Sequence, residues 1–181
     1  MRFGILVILF SLMLGSIALL DSCKNDTTTS SYEAITTLKV IAQNLSTNAV
    51  DTFQYENFHE HQSGSYPPGY VDTIKLAAKT AYFIQVVLIN DLTHEIMTDT
   101  IIAKADSHLM TYNIDPSGLL KVKIQDKDSK GLPLGLICNW STADSTNGWL
   151  RMILRHQQGS KNGTENPGST DFEADFPVAV R

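Results

Sequence analysis

Asp171-Phe172-Glu173-Ala174-Asp175-Phe176-Pro177-Val178-Ala179-Val180 alternates polar and apolar side chains over most of its length. Phe172, Ala174, Phe176, Val178 and Val180 fall on one face, with Asp171, Glu173 and Asp175 on the other. A period of two is the pattern of a strand with one face buried and one face wet. Pro177 has no N–H to give to a ladder, so this strand is expected to border on an edge or a bulge.

The same alternation recurs upstream. Leu150, Met152 and Leu154 oppose Arg151 and Arg155, and Leu120, Val122 and Ile124 alternate with Lys121, Lys123 and Gln125. Leu38, Val40 and Ala42 share one face of a further strand, as do Phe53 and Tyr55 of the next. Ala81 to Ile89 is more continuously apolar and fits a central strand covered on both sides. Ser65-Tyr66-Pro67-Pro68-Gly69, Asp115-Pro116-Ser117-Gly118, Asp126-Lys127-Asp128-Ser129-Lys130-Gly131 and Asn166-Pro167-Gly168 supply the turns. Leu92 to Lys104 reads either as a strand or as a short helical turn, and no long stretch after the N-terminus has helical periodicity. The expected fold is all-β: a single antiparallel β-sandwich of roughly seven to nine strands over residues 35–181, Ig-like in the loose sense.

The N-terminus carries an address. Arg2 precedes an apolar run from Phe3 to Leu20, which ends at Leu20-Asp21-Ser22-Cys23. Such a run could span a bilayer as a helix, but its length and its ending read as a lipoprotein signal peptide over residues 1–22, with lipidation at Cys23. Asp21 is an unusual acid in that context. Residues 23–34 are polar and Thr/Ser-rich and read as a flexible tether. The expected location is the cell envelope, lipid-anchored to a membrane, with the outer membrane favoured.

A net charge of −5 with scattered basic residues argues against nucleic acid as a partner. Two cysteines are present, and lipidation of Cys23 would leave Cys138 alone, a small buried hydrophobe in an apolar run. No serine lies in a nucleophile-elbow context and no glycine loop would cradle phosphate, so the chain reads as a non-enzymatic binding module.

Four stretches offer ligand chemistry. In His59-Glu60-His61, a strand would place His59 and His61 on one face about 6.5 Å apart at Cα, close enough to share a transition metal ion. His94, His108, Asp72 or Glu95 could then supply a third ligand. Asp126-Lys127-Asp128-Ser129-Lys130-Gly131 copies three positions of a calcium loop but puts a cation in the fifth, which favours a charged turn. The polar stretch from His156 to Gly168 is long for a hairpin connection and reads as either a binding loop or a mobile one. Trp140 and Trp149 flank Ser141 to Gly148; exposed, they could stack on sugar rings, although strand-end indoles usually pack.

Leu76-Ala77-Ala78-Lys79-Thr80-Ala81-Tyr82, Lys127 to Leu136, Gly148 to His156 and Gly168-Ser169-Thr170-Asp171 resemble segments of small Bacteroidota lipoproteins labelled "type 1 periplasmic binding fold superfamily" proteins. The resemblance covers the chain from about Asp72 to the C-terminus. It implies an envelope location, a non-enzymatic character and an accessory role beside TonB-dependent outer-membrane transporters, and it transfers no ligand residues. The two-lobed α/β fold named in the label is not what the strand alternation predicts.

Overall fold

The computed structural model describes residues 35–57 and 69–181. Cys23, the tether, His59 and His61 lie outside the described residues. The described chain is an all-β sandwich. Eight of its strands have five or more residues: β1 (Thr37–Asn44), β2 (Val50–Glu56), β5 (Ala81–Asn90), β7 (His108–Asp115), β8 (Leu120–Ile124), β9 (Ile137–Thr142), β10 (Thr146–His156) and β11 (Ser169–Val180). Three short strands, β3 (Tyr70–Val71), β4 (Ile74–Leu76) and β6 (Glu95–Ile96), complete the edges.

One sheet runs β3-β2-β1-β5-β9-β8, with β6 also on β5; the other runs β4-β11-β10-β7. Pairing is antiparallel except between β4 and β11, which run parallel over Ile74–Leu76 and Val178–Val180. That pairing begins one residue after Pro177, so the proline sits where β11 passes from sheet edge to sheet interior.

The two inner faces are the alternating residues read above. Leu38, Val40 and Ala42 of β1 meet Leu150, Met152 and Leu154 of β10 and Phe172, Ala174 and Phe176 of β11 in one buried cluster. Tyr55 stands edge-on to Phe172 at 5.9 Å, and Tyr112 to Trp140 at 6.1 Å, so aromatic pairs bridge the sheets. Each fully buried large side chain of this kind stabilises by about 1.5–3 kcal/mol.

β5 is central, between β1 and β9, as its apolar run predicts, but it is covered on one side and only in part on the other. Its inward residues Tyr82, Ile84, Val86 and Leu88 are buried, while the opposite face is half-buried at Phe83, Val87 and Ile89 and exposed at Gln85. The ambiguous segment resolves into β6 and a seven-residue helix, α1 (Met97–Ala103). Met97 and Ile101 bury themselves, and the Thr98 hydroxyl accepts the Leu88 N–H at 2.8 Å, satisfying a β5 group between its β9 and β6 neighbours. A single 3-10 turn (Ala105–Ser107) then delivers the chain to β7 at His108.

Candidate functional site

His108 opens β7 and His156 closes β10, and the register pairs them directly across the strands. Both occupy the inward parity of their strands, His108 with Met110 and His156 with Leu154 and Met152. Their rings lie 4.8 Å apart, tilted by 39°.

Asp171 joins them because β11 is irregular at that point. Leu154 pairs with Phe172 but Arg155 pairs with Thr170, so Asp171 is the extra residue of a bulge. Bulges re-aim a side chain. The expectation that Asp171 shares an outer face with Glu173 and Asp175 is therefore corrected: Glu173 and Asp175 face out and pair with Arg151, whereas Asp171 turns to the histidines.

Asp171 Oδ2 lies 3.4 Å from His108 Nε2, and Oδ1 lies 3.5 Å from His156 Nδ1. The His108 side chain is fully buried, while His156 and Asp171 keep 27% and 18% of their side chains exposed, so the trio opens to solvent on one side. His108 Nδ1 meets the Lys104 carbonyl oxygen at 2.9 Å, and a carbonyl can only accept, so this nitrogen carries a proton. Among the described residues, Nε2 has no hydrogen bond.

The remaining candidates behave differently. The carboxylates of the calcium-like loop serve the fold. Asp126 accepts the N–H groups of Gly135 and Leu136, and Asp128 Oδ1 accepts those of Lys130 and Leu132. Asp128 Oδ2 pairs with Lys161 Nζ at 2.9 Å, both side chains buried, and Nζ also donates to the Ala105 carbonyl. Burial raises the Asp128 carboxyl's pKa, but the hydrogen bonds from Lys161, Leu132 and Lys130 outweigh it and leave the net shift downward.

The same lysine settles the loop after β10. Lys161 ties it to the calcium-like turn, and buried Gln157 donates to the Thr164 and Pro167 carbonyls from within. Gly168 and Gly163, both at positive φ, bend it back to β11. Residues 157–168 thus form a braced flap over the end of the second sheet, next to His156.

Of the other ligands considered for a histidine site, Asp72 accepts the Gln54 N–H and the Tyr70 hydroxyl, Glu95 accepts from Thr93, and His94 sits in a turn at φ 59°. Cys138 is fully buried. Burial pushes its thiol up to about 12 against a lowering hydrogen bond with Tyr112. Cys138 is expected to resist aqueous thiol reagents in the native protein and to react only on unfolding; ready labelling at Cys138 itself in the folded protein, located by peptide mapping, would refute this.

The tryptophans separate. Trp140 is 1% exposed and part of the core, whereas Trp149 is 55% exposed on the outer face of β10. There it borders an open cleft of about 390 Å³ lined by Asn113, Ile114, Asp115, Arg151 and Asp175. Arg151 is held by a two-point contact with Asp175, at 2.7 and 2.8 Å.

Sequence reasoning missed the His108–His156–Asp171 trio although its parts were in view. Continuing the inward parity from Leu150 through Leu154 reaches His156, but its partner lies on a distant strand and Asp171 depends on a bulge. No protein-family model matches this chain, and no curated protein matches it.

Proposed function

We propose that this chain is a cell-envelope lipoprotein, anchored through Cys23, whose sandwich is a non-enzymatic binding module for saccharides, accessory to an outer-membrane transporter of the TonB-dependent kind. The observation that carries the binding reading is Trp149, a large indole left exposed in a cleft with fixed polar groups around it. An indole face offers the C–H side of a sugar ring a broad apolar platform. Asn113, Asp115, Arg151 and Asp175 supply donors and acceptors for hydroxyl groups at its rim. The Arg151–Asp175 pair holds those groups in place before a ligand arrives, which reduces the ordering cost of binding.

The test is titration of the detergent-purified full chain with a panel of neutral and acidic oligosaccharides, read by tryptophan fluorescence and calorimetry. Trp140 is buried, so a ligand-dependent emission change reports Trp149. A saturable response is expected, with affinity lowered about tenfold or more by Trp149→Ala, given about 1 kcal/mol for an aromatic contact plus its buried area. Binding unaffected by that substitution, or no response across the panel, would refute the reading.

A further inference from the structure

We infer that His108, His156 and Asp171 form a binding site for a divalent first-row transition ion of the zinc type. Among the described residues these three bring their donor atoms within 4.8 Å of one another. Ligands around a tetrahedral zinc at its usual bond lengths stand about 3.3–3.4 Å apart. The two nitrogen–carboxylate separations, 3.4 and 3.5 Å, are close to that value. Each imidazole faces its own carboxylate oxygen, so the ion would be held by either oxygen or by both. His156, the most exposed member, is the one with freedom to swing and close the shell.

The second, independent observation is the state of His108. Its Nδ1 donates to the Lys104 carbonyl, the contact that commonly fixes the tautomer and orientation of a metal-bound histidine. The other nitrogen then presents a lone pair, fully buried and without a hydrogen bond among the described residues, to a carboxylate that also carries only lone pairs. Two acceptors facing each other at this distance call for a cation between them. A proton would make a buried imidazolium–carboxylate pair, and a metal ion would satisfy both histidines and Asp171 together. The one-sided exposure of His156 and Asp171 gives an ion a route from solvent and leaves room for water as a further ligand. Two imidazoles and a carboxylate suit zinc and its neighbours better than calcium or magnesium, which prefer all-oxygen shells. The site is separate from the Trp149 cleft, and the inference stands whether or not that cleft binds saccharide.

The experiment uses the full chain purified in detergent, stripped with chelator and dialysed against zinc, with bound metal measured by elemental analysis. Cobalt(II) is used in parallel for its visible absorption. One zinc per chain is expected, with a cobalt spectrum of low-coordinate nitrogen and oxygen ligation. Asp171→Asn preserves shape and should weaken zinc binding by more than about a hundredfold, since even outer partners of a metal ligand are worth about 10- to 100-fold. His156→Ala should do the same, and if that variant does not fold, Asp171→Asn alone decides. The double variant His59→Ala, His61→Ala should bind zinc as the parent does. Absence of stoichiometric zinc would overturn the site in favour of the proton-bridged pair. Zinc binding that survives Asp171→Asn, or that is lost in the His59, His61 variant, would overturn it in favour of a site elsewhere.

Discussion

Lys161→Met is expected to destabilise the protein by about 3 kcal/mol at neutral pH, because removing one member of a buried ion pair leaves the other charge uncompensated. The Lys161 and Asp128 side chains are 2% and 0% exposed, and their atoms are 2.9 Å apart. The two backbone N–H groups on Asp128 Oδ1 remain after the substitution, which places the cost at the lower end of the usual range. In a domain of this size that corresponds to a fall in Tm of roughly 6–12 °C. The dependence on acid follows from the direction of the Asp128 shift. Its folded-state pKa lies below the unfolded value of about 3.9, so the stabilisation is complete at neutrality and is lost as pH falls through the folded value. The gap between parent and Lys161→Met should therefore narrow below about pH 4. In Asp128→Asn the carboxylate is gone, and adding Lys161→Met should cost much less than it does alone. Denaturant titrations of the four proteins at neutral and acid pH decide this. Equal stability of parent and Lys161→Met at neutral pH would mean that the pair does not brace the flap.

That pair shows which parts of the structure were legible in sequence. The core was, because Phe172 to Val180 and Leu150 to Leu154 write their burial in a period of two, and the turns at Asp115-Pro116-Ser117-Gly118 and Asn166-Pro167-Gly168 lie between strands as their chemistry requires. Local information does not contain the pairing of Asp128 with Lys161, which are loop residues that read as solvated charges until the fold sets them side by side. The short strands β3, β4 and β6 carry too few residues to show a period, and the parallel docking of β4 on β11 is a tertiary choice. Asp171 is the clearest case. Strict alternation sends it outward, and one unpaired residue in the β10–β11 ladder turns it to two histidines that lie on separate strands. The candidate site was thus visible as residue types and hidden as a constellation.

Gly168→Ala is the second change expected to act strongly, and it joins the fold to that constellation. Gly168 has φ +82°, a left-handed conformation that costs an L-residue about 1–2 kcal/mol. The larger effect is steric. A Cβ at this position would lie 1.8 Å from the His156 carbonyl oxygen and 2.7 Å from its carbon, and both are backbone atoms that cannot rotate away. The flap must lift from the end of β10, which strains the pairing of His156 with Ser169 and the Arg155 contact to the Gly168 carbonyl. A total loss above about 3 kcal/mol is expected. Gly159→Ala is the control. It lies in the same flap with the same sign of φ, at +70°, but among the described residues no atom lies within 4 Å of the added carbon, so only the conformational cost of about 1 kcal/mol should appear. Because Gly168 closes directly onto His156, its substitution should also lower zinc affinity at temperatures where the protein is still folded, whereas Gly159→Ala should leave it unchanged. Thermal unfolding monitored by circular dichroism, paired with zinc titration, separates the effects. If both variants lose the same small amount of stability and keep the same affinity, the close approach of flap and strand does not position His156.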